Sequence, residues 1–96
     1  MNSIDILKNE YPGDQAWQAF VDVFRPAWEL RQDRDLYRLN LGDEEIAIVL
    51  TALMGARASD WFVKPCAALG KRAPCDVLRN EPAGLKVIRS FLMRMH

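Results

Sequence analysis

The sequence contains few residues of the kinds that build metal sites and disulfide frameworks. Among its 96 residues there are only two cysteines and one histidine. Cys66 and Cys75 lie nine positions apart, without a C-x-x-C spacing or a neighbouring histidine. That spacing is not a zinc pattern, and one pair of cysteines is too few for a secreted disulfide framework. We therefore expect two reduced, half-buried cysteines, no bound metal and no cofactor.

Catalytic motifs are also lacking. There is no glycine-rich phosphate loop and no nucleotide-binding fingerprint. A cysteine–histidine nucleophile would have to use His96, the last residue, and a chain end positions a general base poorly. The neighbouring carboxylates Glu44 and Glu45, like Asp33 and Asp35, suit a helix start or a solvated segment better than an acid–base pair. The sequence predicts a protein that is not an enzyme.

No hydrophobic run is long enough for a membrane-spanning helix. The longest, residues 46–54, is interrupted by Thr51 and is much shorter than the roughly 20 residues that a bilayer requires. The N-terminal residues are acidic and broken by charges, unlike a signal peptide. The formal net charge is zero, which argues against bulk electrostatic attraction to DNA or anionic membranes. We expect a soluble, cytoplasmic protein.

The net charge of zero conceals a division between the two halves of the chain. Residues 1–55 carry five basic and ten acidic side chains, whereas residues 56–96 carry eight basic and three acidic ones. Either the halves complement each other across their packing surface, or the basic half faces an acidic partner. The charge pattern is compatible with both interpretations.

Half of the residues are hydrophobic, which suffices for the core of one small domain. After a short arm that ends at Pro12-Gly13, Asp14 is predicted to cap an amphipathic helix that kinks or breaks at Pro26. Residues 36–42 alternate weakly like a strand, but a lone strand is not stable in water. They are therefore expected to be a helix end or an extended linker, unless they pair across a dimer. The first helix carries an aromatic stripe: Trp17, Phe20, Val21, Phe24, Ala27 and Trp28.

The second half predicts a long helix, two short helices and a final amphipathic helix. Asp43 is expected to cap the long helix, and Gly55 to end it. Ser59 and Pro74 are expected to start the short helices, the second of which runs to Leu78. The final helix is expected to begin near residues 80–82. Its predicted core stripe is Leu85, Ile88, Phe91, Leu92 and Met95, and the long helix is expected to bury Ile46, Val49, Leu50 and Leu53. The predicted fold is therefore all-α, a small single domain of about five helices, two of them short.

One ordered set of residues runs through this second half: Trp61-Phe62, Pro65, Leu69-Gly70, Pro74, Leu78, Gly84, Val87 and Leu92. The order W-F-x-x-P-x-x-x-L-G-x-x-x-P-x-x-x-L, followed by G-x-x-V-x-x-x-x-L, resembles the C-terminal toxin-binding domain of Xre/MbcA/ParS-type antitoxins. The resemblance covers about residues 43–96. It divides the chain into an N-terminal helical arm, residues 1–42, and an antitoxin-like toxin-binding domain, residues 43–96.

The resemblance implies a helical protein that neutralises a toxin of the RES type, an enzyme that consumes NAD. In that family the antitoxin's C-terminal end reaches into the toxin's cleft and blocks it. The chain stops at His96, near the end of the family pattern, so Arg94, Met95 and His96 are the candidates for this occlusion. A cognate RES-type toxin is the expected partner, together with a second copy of the chain in a homodimer.

Family members usually carry a helix-turn-helix segment before this domain. Here the first forty or so residues are acidic, interrupted by Pro26 and without a basic recognition helix. DNA binding is therefore not expected. Two alternatives remain open: a DNA-binding autorepressor with a degenerate helix-turn-helix, and a non-enzymatic oligomerising scaffold that uses the Trp17–Trp28 stripe as its self-interface.

The predicted partner-binding residues all lie in the basic half. Lys86, Arg89 and Met93 are expected to share the exposed side of the last helix. Lys71 and Arg72 lie in the loop between the two short helices, and the remaining residues are at the C-terminus. The full predicted set is Lys71, Arg72, Lys86, Arg89, Met93, Arg94, Met95 and His96.

Overall fold

Seven α-helices account for most of the residues that the structure, a computed structural model, describes: residues 3–41 and 43–95. These parts of the chain contain no strand, only an isolated bridge between Cys66 and Arg72. The all-α prediction is confirmed. Helices α1 and α3 fill the segments expected to be an arm and a linker. The helices are α1 (Ser3–Asn9), α2 (Asp14–Glu29), α3 (Arg34–Leu41), α4 (Glu44–Met54), α5 (Ala58–Val63), α6 (Pro74–Asn80) and α7 (Gly84–Met95), with 3₁₀ turns at Gly55–Arg57 and Ala67–Leu69.

Helix α4 lies at the centre of the fold. Its residues 46–51 are all buried, because α2, α3, α5 and α7 pack around it. Asp43 caps it as predicted, since its carboxylate accepts the Ile46 backbone N–H at 3.0 Å. Gly55 ends it with a φ of 57°, a backbone conformation that glycine adopts without steric cost. The predicted stripe on one side of this helix was too narrow, because neighbours cover every side of its middle turns.

The segment Glu44–Val63 is long and apolar enough to cross a bilayer, judged by length and composition alone. In the structure this segment is not one continuous helix on the surface. Helix α4 forms the buried centre of the domain, and the 3₁₀ turn at Gly55–Arg57 separates it from α5. The described residues form one compact body with a radius of gyration of 12.7 Å. This arrangement is consistent with a soluble protein.

The sequence predicts a kink or a break at Pro26; the break is wrong, because helix α2 runs through this residue without interruption. Asp22 and Pro26 both lie on the exposed side of the helix, where the proline ring removes one hydrogen bond, the one that the carbonyl group of Asp22 would accept. Asp14 does not cap this helix. Gly13 occupies the N-cap with a φ of 107° and no side-chain hydrogen bond, and the Asp14 carboxylate instead accepts a hydrogen bond from Tyr11 at 2.7 Å.

The aromatic stripe predicted for α2 faces the core only in part, since Phe20 and Phe24 are half-buried and Ala27 is exposed. Trp17, Val21 and Trp28 are buried, and both indole N–H groups donate to carboxylates at the start of α4: Trp17 to Glu45 at 3.1 Å and Trp28 to Glu44 at 3.3 Å. Because the core already uses these three side chains, they are not available as a self-interface, and the oligomerising scaffold stays a prediction. Helix α1 packs against α7, so helices from both halves of the chain share one hydrophobic core.

In the C-terminal half, prolines and glycines lie at or near the ends of helices. Pro74 lies in the first turn of α6, as predicted. Helix α7 begins at Gly84, later than predicted, because α6 continues to Asn80 and a turn at residues 81–83 follows. A Cβ atom at Gly84 would lie 2.1 Å from the carbonyl oxygen of Val77, so only glycine allows α6 and α7 to approach this closely. Ser59 does not cap α5, which begins one residue earlier.

Candidate partner-binding surface

Arg89, a predicted partner-binding residue, is held inside the protein. Only 12% of its side chain is exposed. Its guanidinium donates to Glu45 at 3.1 Å, and to Asp14 and the Tyr11 hydroxyl at 3.3 Å each. It also lies 5.1 Å from the centre of the Trp17 ring, in cation–π contact. The expectation that Arg89 projects from an exposed face is therefore wrong, because the side chain ties α7 to α2, α4 and the turn before α2.

The same cluster affects Tyr11. Burial raises the pKa of its hydroxyl, although the hydrogen bond from Arg89 acts in the opposite direction. Glu45 is the acceptor shared by Arg89 and Trp17, and Gln18 donates to its other oxygen at 2.5 Å. A carboxylate that accepts hydrogen bonds from both α2 and α7 orients these two helices relative to α4. We interpret this cluster as structural.

Two other predicted residues are also engaged within the chain. Arg72 donates to Asp76 at 2.7 Å and to Glu81 at 2.6 Å, and its guanidinium lowers the pKa of Asp76. These bonds fasten the loop before α6 to both ends of that helix. Met93 is half-buried and packs against the core, so the expected exposed methionine is also wrong.

Lys71 and Lys86 are exposed, and within residues 3–41 and 43–95 neither forms an ion pair. They lie on different elements, the loop before α6 and the first turn of α7. His96 lies outside the described residues. The two oppositely charged halves of the chain neutralise each other in part, because Arg89 and Arg94 form ion pairs with acidic residues of the N-terminal half.

Arg94 and Met95 are brought together in a groove between the ends of α1 and α7. We call this surface the α7 groove. Its volume is about 340 Å³, and Arg94 pairs with Glu10 at its rim. Met95 is 42% exposed rather than part of the core, contrary to the predicted stripe. The lining residues are Ile6, Leu7, Ala68, Phe91, Arg94 and Met95.

A second, more polar groove lies beside it, with a volume of about 660 Å³. The Trp61 ring in this groove stacks on the Phe91 ring of the α7 groove, with 5.5 Å between ring centres and 20° between planes. The ring pair therefore joins the two grooves. Lys64 and Asp60 form a loose pair at 3.9 Å on the rim. The lining residues are Leu53, Met54, Arg57, Asp60, Trp61 and Lys64.

Sequence reasoning missed the apolar side of the α7 groove. Ile6 was assigned to an arm, and Phe91 to the core stripe. One signal was available for Ile6: Ile4 and Leu7, three positions apart, form the buried side of α1, so Ile6 had to lie off that side. No local pattern shows that Ala68 approaches the end of α7, since that contact depends on the whole fold.

The chemistry that the described residues offer is binding by shape, apolar contact and charge. In residues 3–41 and 43–95, no group of three or more His, Cys, Asp and Glu side chains could hold a metal ion. Both cysteines are free and half-buried. Comparisons of the chain with protein-family models, curated proteins and solved structures give no match.

Proposed function

We propose that this chain is a non-enzymatic antitoxin, or an antitoxin-like protein, that acts in the cytoplasm. Its partner is a RES-type toxin, whose NAD-binding cleft it occludes with its C-terminal region. The proposal begins from the resemblance over residues 43–96 and gains support from what those residues do in the fold.

The residues that carry the resemblance have clear structural roles. Leu69, Val87 and Leu92 are fully buried, and Gly70 ends a 3₁₀ turn in the left-handed conformation with a φ of 67°. Gly84 permits the close approach of α6 and α7. A family pattern made of such residues specifies how the helices pack rather than which partner they bind. This supports the resemblance as a fold, and leaves binding to the surface residues.

The observation that carries the proposal is the α7 groove. It combines exposed apolar side chains, Ile6 and Met95, with Arg94, whose half-exposed side chain forms an ion pair with Glu10 at the rim. A few desolvated apolar anchors surrounded by polar groups supply most of the affinity in protein interfaces. The groove lies at the last turn of α7. In the family that the sequence resembles, the C-terminal region of the antitoxin blocks the toxin.

The DNA-binding alternative gains no support from the N-terminal helices. The arginines of α2 and α3 are already paired: Arg25 with Asp22 at 2.9 Å, Arg34 with Glu29 at 3.0 Å, and Arg38 with Glu44 at 2.8 Å. Phosphate contacts require cationic side chains that are available to the DNA backbone. This part of the surface offers no such basic stripe.

Co-expression in bacteria tests the proposal. The protein encoded by the adjacent reading frame is induced with and without this chain, and growth and cellular NAD are measured. We expect toxicity with NAD loss in the absence of the chain, and recovery of both in its presence. Toxicity that the wild-type chain does not relieve would contradict the proposal.

A matched pair of variants locates the binding surface in the same assay. Met95→Glu places a charge in the α7 groove, and we expect at least a tenfold loss of protection, measured as surviving cells. Leu39→Glu places the same charge on α3 at a side chain that is 83% exposed, and should protect like the wild type. Full protection by Met95→Glu combined with Ile6→Glu would rule out the groove as the binding surface.

A further inference from the structure

Helix α2 has a second apolar stripe on the side that faces away from the core. Val23 is 67% exposed and Leu30, which directly follows the helix, is 85% exposed. The residues between and beside them at helical spacing are alanines, of which Ala19 and Ala27 are exposed and Ala16 is half-buried. Successive members lie three or four positions apart, so they form one line along the helix. We call this line the α2 stripe: Ala16, Ala19, Val23, Ala27 and Leu30.

An outward-facing helix side is normally polar, and the α2 stripe is not. The buried side of the helix, with Trp17 and Trp28, already packs on α4, so the stripe is not required for the core. A line of exposed apolar residues on the surface of a helix is typical of an interaction surface. At about 1.5 Å per residue the 16-residue helix is roughly 24 Å long, which suits the packing of one helix along another.

The stripe is symmetric about Val23. Ala19 and Ala27 lie four positions to either side of it, and Ala16 and Leu30 lie seven positions to either side. If two copies of α2 pack antiparallel about a two-fold axis at Val23, each Leu30 lies opposite an Ala16 of the other copy. Each Ala27 then lies opposite an Ala19. This register places Leu30, the largest side chain of the stripe, opposite a small one and brings the small side chains of Ala19 and Ala27 together, so the surface is complementary to itself, as a two-fold interface requires.

The charges beside the stripe also permit identical surfaces to meet. Asp22 is paired with Arg25 at 2.9 Å, and Glu29 with Arg34 at 3.0 Å, within the same chain. Each of these border carboxylates therefore brings an arginine partner with it, and packing two stripes together does not desolvate an unpaired Asp22 or Glu29.

We propose that this chain forms a two-fold homodimer in which the α2 stripes of two copies pack antiparallel, centred on Val23. The surface is separate from the α7 groove, so the proposal stands whether or not the chain neutralises a toxin. One helix pair of this length buries less than the roughly 800 Å² per partner of a standard interface. We therefore expect a dimer with a dissociation constant in the micromolar range.

Sedimentation velocity from low micromolar to several hundred micromolar tests the proposal. The wild type should change from monomer to dimer across this range. Val23→Glu should remain monomeric at every concentration, with at least a tenfold weaker association, while Leu39→Glu on α3 should dimerise like the wild type. Circular dichroism should show the same helix content in all three. A wild type that stays monomeric throughout, or a Val23→Glu variant that dimerises normally, would overturn the proposal.

The register is tested by exchanging a large and a small residue. Ala16→Leu alone adds apolar surface but places two leucines opposite each other, so we expect weaker dimerisation. Ala16→Leu combined with Leu30→Ala restores a large residue opposite a small one, and should recover the wild-type dissociation constant within about threefold. Tighter association of Ala16→Leu than of the wild type would indicate unspecific apolar contact and overturn the antiparallel register.

Discussion

Helices α4 and α2 are both apolar on more than one side, yet the fold uses them differently. Four helices cover α4, so all its middle residues belong to the core. Helix α2 is covered only on the side of its tryptophans, and Val23 and Leu30 on the other side remain in contact with solvent. The comparison shows that apolar content alone does not assign a residue to the core. The elements that pack on each side decide whether it stabilises the fold or remains available to a partner.

The largest expected effect comes from the same substitution in the two helices. Leu50→Ala removes a fully buried side chain of α4, and such changes cost about 2–5 kcal/mol of unfolding free energy because a cavity remains. Leu30 directly follows α2 and is exposed to solvent. Leu30→Ala should therefore change the free energy of unfolding by less than about 0.5 kcal/mol at a concentration where the chain is monomeric. Urea denaturation of both variants measures the difference. Equal losses would contradict the division between the two helices.

A second test removes part of the cover of α4. Gly84→Ala forces a Cβ atom against the Val77 carbonyl group, so α6 and α7 must move apart. Overpacking of this kind costs about 1–3 kcal/mol. The matched control is Ala83→Gly, next to it, where the residue already has a φ of 60° and glycine should be neutral or slightly stabilising. Thermal unfolding followed by circular dichroism gives both values, and an unchanged Gly84→Ala variant would show that the contact is not tight.

A third test compares two arginines of α7. Arg89→Met removes a charged hydrogen bond to Glu45, whose other ion pair is a longer one with Arg25 at 3.8 Å, and it removes the cation–π contact to Trp17. Hydrogen bonds to charged groups contribute about 1.5–3 kcal/mol. Arg94→Met removes an exposed pair with Glu10, which contributes at most about 1 kcal/mol. Chemical denaturation should therefore show the larger loss for Arg89→Met. The reverse order would contradict the structural role of Arg89.

The smallest effect is expected from acid. The Arg38 guanidinium holds the pKa of Glu44 below its ordinary value of 4.5, with a further contribution from the Trp28 indole N–H. A carboxyl group with a lowered folded-state pKa stabilises the fold above its ordinary pKa, and that contribution is lost as the pH falls through the lowered value. The melting temperature should thus fall slightly more steeply below pH 4.5 in the wild type than in Glu44→Gln. Parallel curves for the two proteins would contradict this assignment.

Features fixed by neighbouring residues were predictable from the sequence. The Asp43 cap, the helix end at Gly55 and the first-turn position of Pro74 depend only on local backbone chemistry, and the structure has all three. Helix α1 was missed because its seven residues are too few for a clear period, and contact with α7 covers it. Residues 36–42 alternate weakly between apolar and polar, and this pattern did not predict a separate helix there. Helix α3 forms because it packs on α4.

Features that join distant residues were not predictable. Arg89 was expected to be exposed because its position on an isolated helix points away from the predicted stripe. Its partners Tyr11, Asp14 and Glu45 come from three other places in the chain, and only the fold brings them to it. The α7 groove likewise requires α1, which the sequence left as an arm. The apolar residues of the α2 stripe are visible in the sequence. Only the burial of Trp17 and Trp28 in the structure shows that this stripe, and not the side of the tryptophans, is exposed to solvent.

We propose that the α7 groove and the α2 stripe bind different partners. A photoreactive benzophenone amino acid placed at residue 95 in the α7 groove, or at residue 23 in the α2 stripe, tests both surfaces in cells that also express the protein encoded by the adjacent reading frame, the proposed toxin. We predict that position 95 crosslinks to the toxin, and that position 23 crosslinks to a second copy of the chain. Crosslinks to the toxin from position 23, with none from position 95, would contradict the account.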